Sequence, residues 1–318
     1  MATRTERARA AISEIKRGFP MPDPNQTAKI ASGNGFIAAL DQSGGSTPKA
    51  LMGYGIEKDA YSGDEEMFGL IHQMRTRIIT APSFSGDKVL GAILFERTMD
   101  GEIDGRPVPT VLQERGVVPF IKIDKGLEDE QDGVQLMKPM PELEELLDRA
   151  RGLGVFGTKE RSVINLANRD GIAAVVIQQF KVAGMVLEAG LVPIIEPEVN
   201  IKSPERAEAD QMLLEELQIA LDAMEGDDKV MLKLSLPVTP NLFAPLVDHP
   251  RVLRVVALSG GFARPEACAE LAKNRGMIAS FSRALLEDLR YQMTDAEFDA
   301  ALGQAIDEIY RASVNKTA

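Results

Sequence analysis

The sequence predicts a single (β/α)8 TIM barrel with a short N-terminal helical extension. Three observations predict it. Eight short apolar runs rich in β-branched residues recur along the chain, helical stretches fill most of the gaps between them, and six of the runs place charge at the same, C-terminal end. An open doubly wound sheet is the runner-up. No internal repeat, low-complexity tract or interdomain linker divides the chain. The expected layout is therefore an extension over residues 1–30 and a barrel catalytic domain over 31–318.

The start, "MATRTERARAAISEIKRGF", is basic but carries Glu6 and Glu14 and lacks an apolar h-region. It reads as a short amphipathic helix, not a signal peptide. "PMPDPN" breaks it. The strand expectations follow in order: "GFIAALD" (35–41), "VLGAILFERTM" (89–99), "VVPFIKID" (117–124), "GVFGTKERSVI" (154–164), "LVPIIEPE" (191–198), "KVMLKLSLP" (229–237), "LRVVALSGG" (253–261) and "MIASFSR" (277–283). Between them, "DEEMFGLIHQMRTRII" has helical apolar spacing, "PELEELLDRARGLG" starts at Pro141 and stops at glycine, and "DGIAAVVIQQFKVAGMVLEAG" ends at Gly190. "SPERAEADQMLLEELQIALDAMEG" offers Ser203 as N-cap with Pro204 at the first helical position. "TDAEFDAALGQAIDEIYRA" opens on Thr294 and Glu297, a capping box.

Composition narrows the function classes. The 318 residues are 44% hydrophobic, ample for a large core, and the net charge of −12 argues against a nucleic-acid or anionic-membrane partner. No run of 18 apolar residues predicts a membrane span. Cys268 is alone, so no intrachain disulfide forms; a reducing, cytoplasmic compartment is the expectation. His72 and His249 are too few for a three-histidine zinc site; separately, no metal and no cofactor is expected.

The chemistry starts from Lys233, alone among Val230, Met231, Leu232, Leu234 and Leu236. An ammonium buried there must be paired or lose its proton. A lone strand lysine is usually at an exposed edge, and that reading would stand if the other strands were silent. They are not. Strand one ends at Asp41 before "QSGGS", strand three carries Lys122 and Asp124, strand four Lys159 and Arg161, and strand five Glu196 and Glu198. Residues i and i+2 share a strand face, so Glu196 projects with Glu198 and Lys159 with Arg161. "GLGVFG" (152–157) matches a dinucleotide fingerprint but follows a helix and opens a strand, which rejects a nicotinamide or flavin site. These residues suit imine formation, in which a neutral lysine amine attacks a ketone while carboxylates move protons. "SGGS" and "LSGG…SR" supply backbone N–H groups and hydroxyls for phosphate, and Arg283 a bidentate clamp. Two anion sites at opposite ends of one pocket imply a bisphosphorylated substrate.

At these residues the sequence resembles class I (Schiff-base) fructose-1,6-bisphosphate aldolase, and more closely its shorter bacterial branch. The resemblance runs from about Gly35 to Lys316 and is carried by "GFIAALDQSGGSTPKAL", "ILFERTMDGEIDG", "VVPFIKIDKGL", "VFGTKERSVI", "LVPIIEPEVN", "VMLKLSLP", "VVALSGG" and "SFSRAL". It implies that Lys233 forms the Schiff base, that Glu196 exchanges protons during imine formation, and that Glu198 hydrogen-bonds the reactive lysine. Asp41 would take the C4 hydroxyl proton, and Lys159 would stabilise charge beside Lys233. Ser259, Gly260, Ser282 (through its backbone) and Arg283 would hold the C1 phosphate; Ser43, Ser46, Lys122 and Arg161 would lie toward the C6 phosphate. Ser282 stands where the animal enzymes have glycine, and because the sequence ends "VNKTA" no counterpart of their C-terminal tyrosine is carried over. The implied activity is reversible cleavage of fructose 1,6-bisphosphate to dihydroxyacetone phosphate and glyceraldehyde 3-phosphate, in glycolysis and gluconeogenesis. Sugar phosphates are the expected partners, and a homo-oligomer is left open. The alternatives are another Schiff-base barrel enzyme acting on a monophosphorylated sugar, or a non-catalytic scaffold or adhesin on the same fold.

Overall fold

The computed structural model describes residues 22–317, and its parallel strands follow the eight apolar runs. They are β1 (Phe36–Leu40), β2 (Val89–Leu94), β3 (Val118–Lys122), β4 (Gly157–Ile164), β5 (Val192–Val199), β6 (Val230–Ser235), β7 (Val252–Leu258) and β8 (Ile278–Ala279). Each pairs in parallel with the next. The ring is closed beyond β8, where the Ala39 N–H donates to the Phe281 carbonyl at 3.1 Å. This is a (β/α)8 barrel, not an open sheet. The basic N-terminal helix expectation falls on residues outside those described.

Period two sorts the strands, with a register shift near the start of β2 and of β7. Ile37, Ala39, Ile93, Val118, Phe120, Val192, Ile194, Met231, Val256 and Ile278 form one apolar cluster inside the ring. Their neighbours Phe36, Ala38, Leu40, Leu232, Leu234 and Ala257 join the larger cluster under the helices. Phe120 fills much of the interior because its flanking strands carry glycine. A Cβ at Gly91 or Gly157 would stand 2.9 or 3.0 Å from its ring. The inward positions are thus apolar at the N-terminal ends and charged at the C-terminal ends of the same strands.

The helices are α1 (Pro24–Ser32), α2 (Gly63–Thr80), α3 (Leu143–Gly152), α4 (Arg169–Glu188), α5 (Arg206–Ala223), α6 (Arg264–Ala272) and α7 (Asp295–Val314), with shorter turns between. Helix α1 covers the N-terminal end of the barrel. Its Ile30 is fully buried in the inner cluster, Lys29 Nζ donates to the Gly86 carbonyl, and Arg254 donates to the carbonyls of Ala31 and Gly33. Asp23 caps it, accepting from the N–H groups of Asn25 and Gln26. Helix α4 is long and apolar enough to cross a membrane by composition, but half of its apolar window is buried within the protein. Cys268 is buried on α6, where burial, with Glu308 beside it, pushes the thiol up to about 12.

Four local expectations change, the first being that α3, expected from Pro141, begins at Leu143. Helix α5 begins at Arg206, and Ser203 instead accepts the Glu205 N–H in the turn before it. The run expected as strand to residue 99 stops at Leu94. Glu96–Met99 is a helical turn, where Glu96 pairs with Lys125 and Arg149. The eighth strand is two residues long because Ser282 already opens the turn of Arg283–Leu286. The Thr294–Glu297 capping box forms as expected, with both reciprocal hydrogen bonds.

Candidate active site

A cavity of about 910 Å³ opens at the C-terminal ends of the strands. All thirteen residues singled out in the sequence line it, joined by Lys49, Asp124, Gly261, Ser280 and Arg290 among others. Parallel register explains the convergence. Arg161 lies opposite Glu196 across β4 and β5, and Lys122 lies opposite Lys159 across β3 and β4. Their inward side chains therefore stand at neighbouring levels of the ring, one inward position apart along β4.

The floor of the cavity is a buried ion cluster. Lys233 Nζ lies 3.1 Å from Glu196 Oε1. Lys159 Nζ lies 2.7 Å from Glu196 Oε2 and 3.0 Å from Asp41 Oδ2. Lys159, Glu196 and Lys233 are each under 5% exposed, so bulk water does not screen these pairs. Burial opposes the charge on Asp41, but Lys159, Lys233 and Lys122 outweigh it and hold its carboxyl far below the usual carboxylate range. Glu196 follows the same logic: burial pushes up, and Lys159, Lys233 and Arg161 bring it down. Burial also opposes the Lys159 ammonium, which Asp41, Glu196 and Asp124 stabilise so strongly that its pKa rises. Both carboxyls are therefore ionised at neutral pH, and Lys159 is a fixed cation.

Glu198 occupies a different place from the one implied for it. It accepts from Arg161 Nε at 2.5 Å, while Glu196 is the carboxylate on Lys233. Two residues along β5 carry Glu198 one level up, toward the wider mouth. Lys122 is also paired, with Asp124 at 2.7 Å. Across the cavity, Ser259, Gly260 and Gly261 turn sharply after β7. Gly260 has φ +60°, and a Cβ there would stand 2.6 Å from Ile201 Cγ2, so the turn requires glycine. Arg283 Nη1 reaches within 3.9 Å of the Cβ position of Gly261. Among the described residues no carboxylate pairs with Arg283, which leaves its charge for an anion. Ser43 and Ser46 sit in the turn after β1, the Ser46 hydroxyl accepting the Ser43 N–H at 3.0 Å.

Over residues 25–257 the chain matches the family model described as fructose-bisphosphate aldolase class-I. The chain belongs to that family. The family's architecture recurs in a solved structure of fructose-bisphosphate aldolase from Plasmodium falciparum in complex with TRAP and a small-molecule inhibitor. It is 19% identical to this class-I aldolase family member, with a TM-score of 0.72 over 96% of this chain and 100% of that one. A Corynebacterium glutamicum protein shares 13% identity at a TM-score of 0.50, covering 98% of this chain and 91% of that one. These two likenesses speak to fold.

The sequence reading of this family member missed Ser280, which shares an inward face with Ile278 and Ser282. The period-two rule applied to "IASFS" would have found it. It also missed Glu160, on the outward face of β4. Glu160 is fully buried and neither carboxyl oxygen has a hydrogen-bond partner. Burial, then the like charge of Asp124, raises its pKa well above the ordinary value. An unfolded glutamate ionises near pH 4.3, whereas folded Glu160 keeps its proton. The native state then binds more protons than the unfolded one, so stability drains as pH rises from there. Glu160→Gln is expected to raise stability, with a gain that widens by up to about 1.4 kcal/mol per pH unit above pH 5 until the folded group ionises. Urea melts of both proteins at pH 5, 6 and 7 check this; parallel curves count against a neutral Glu160.

Proposed function

We propose that the protein is a metal-independent lyase that reversibly cleaves fructose 1,6-bisphosphate through a Schiff base at Lys233. The observation that carries this reading is one buried carboxylate, Glu196, held between two buried lysines at the floor of the cavity. The Lys233 amine adds to the C2 ketone, and the carbinolamine loses water to form the iminium. Glu196, ionised at rest, accepts and returns the protons of that exchange. Asp41 takes the C4 hydroxyl proton, the C3–C4 bond breaks, and its electron pair moves into the iminium to give an enamine. Glyceraldehyde 3-phosphate departs. Protonation of the enamine at C3 and hydrolysis of the imine release dihydroxyacetone phosphate. The iminium is the electron sink, and Lys159 keeps Asp41 and Glu196 ionised beside it.

One observation favours a second reading, a Schiff-base enzyme for a monophosphorylated sugar. Lys122 and Arg161, assigned to the far phosphate, each already carry a carboxylate partner. Substitution separates the two readings. Arg283→Ala should weaken binding of dihydroxyacetone phosphate and of the bisphosphate alike, by ~1.5–3 kcal/mol for a lost charge-assisted hydrogen bond. Arg161→Ala should weaken the bisphosphate more than fructose 1-phosphate. Equal losses on both substrates, measured as kcat/KM, would move the assignment to the monophosphate reading. Borohydride trapping with dihydroxyacetone phosphate in the presence of a chelator tests the imine itself.

A further inference from the structure

We propose that Arg75 is a positioning residue that locks the proton-accepting end of the pocket to its phosphate-binding end. The inference rests on the reading of the site given above. Arg75 comes from helix α2, not from a strand end, and is fully buried. Among the described residues no carboxylate lies within ion-pair distance of it. A buried cation without a carboxylate partner is unfavourable unless hydrogen bonds offset its burial. Its two terminal nitrogens reach two segments of the barrel, while Nε has no hydrogen-bond partner. Nη1 donates to Thr98 Oγ1 at 2.6 Å, just after β2. Nη2 donates to the Gln42 carbonyl at 2.5 Å and lies 3.2 Å from Gln42 Oε1. Gln42 follows Asp41 directly, so the clamp fixes the peptide next to the proton acceptor.

Gln42 then carries the contact across the closure of the barrel. Its Nε2 donates to Ser282 Oγ at 2.6 Å, beside Arg283. Thr98, Arg75, Gln42 and Ser282 form one continuous chain from the segment after β2 to the segment after β8. The planar guanidinium suits this task, because a fork of fixed donors holds two acceptors in one relative position. A lysine is a point donor and holds one. Burial holds the Arg75 guanidinium below its usual range, at about 10, so it remains charged at neutral pH, and Asp41 is the carboxylate whose charge it feels. Arg75 touches neither substrate nor reacting atom. It acts through Gln42.

Two variants test this, Arg75→Lys and Gln42→Met. Gln42 is only partly buried, so its variant decides the matter if Arg75→Lys does not fold. Three readouts are taken on the full chain: binding of inorganic phosphate by calorimetry, imine trapping at saturating dihydroxyacetone phosphate, and cleavage of the bisphosphate. The expected result is phosphate affinity threefold or more weaker, trapping at the parent rate, and cleavage tenfold or more slower. The double variant should be no worse than the poorer single one, because both cut the same chain. Trapping and cleavage that fall together with the folded fraction would reduce Arg75 to a support of the fold. Unchanged phosphate affinity in folded variants overturns the proposal whatever reaction the pocket performs. A parent that binds phosphate but neither traps nor cleaves counts against the imine reading, and the phosphate comparison still decides Arg75.

Discussion

Lys233→Met is expected to fold, melt near the parent and lose turnover by on the order of 10^3-fold or more, as when other covalent nucleophiles are removed. Methionine is close to lysine in length and suits a site flanked by fully buried Met231, Leu232 and Leu234. Glu196 keeps its 2.7 Å ion pair with Lys159, so the substitution strands no carboxylate. Borohydride with dihydroxyacetone phosphate should label the parent once per chain on the peptide holding Lys233, and the variant not at all. Lys229 is the internal control. It is exposed at the start of β6, four residues away and below the pocket. Label on Lys229, or on Lys159 in the parent, would remove Lys233 from its role.

Lys159→Met should behave in the opposite way, damaging the fold as well as the reaction. Lys159 is the shared partner of Asp41 and Glu196. Removing one partner from a buried ion pair costs about 3–5 kcal/mol, because the remaining charge stays buried without compensation. The effect has a pH signature. In the parent both carboxyls sit below their ordinary range, so their stabilising contribution is present above the unfolded pKa and fades only as pH falls through the folded values. Without Lys159, burial is less opposed and both carboxyls move up. The penalty should then be largest at neutral pH and shrink toward pH 4, where the carboxyls accept protons. Urea unfolding at pH 7 and pH 4.5 measures it. A variant as stable as the parent at pH 7 would mean that the ion cluster contributes little to the fold.

The barrel and the ion cluster were legible because both rest on period two. Apolar residues at one end of a strand and charged residues at the other, on the same parity, state which face is inside and which end is the mouth. Lys159, Glu196 and Lys233 follow from that rule alone. The partner of Glu198 did not, because parity gives the face but not the height at which two side chains meet. Register across β4 and β5 does not supply it either, since Arg161 lies opposite Glu196 and pairs with Glu198 one inward position further along. Glu160 was hidden for a different reason: an outward strand position in a barrel is covered by a helix, and its identity does not reveal that cover. Arg75 did leave a trace. It falls four residues after Ile71 and three before Ile78, on the buried stripe of α2, where an arginine interrupts an apolar ridge. The start of α5 was misplaced because Ser203 serves a turn and a helix cap with the same hydroxyl geometry.

The stopper formed by α1 has a consequence for traffic. With Ile30 seated in the inner core and Phe120 filling the ring, the described residues close the N-terminal end of the barrel to the pocket. A reaction that makes two molecules from one must then queue them. The fragment lying toward the opening departs first, and the one tethered at the floor waits until the way out is clear. Under the proposed reaction the fragment held by Lys233 leaves last, and α1, by covering the opposite end of the barrel, leaves both products the mouth as their way out.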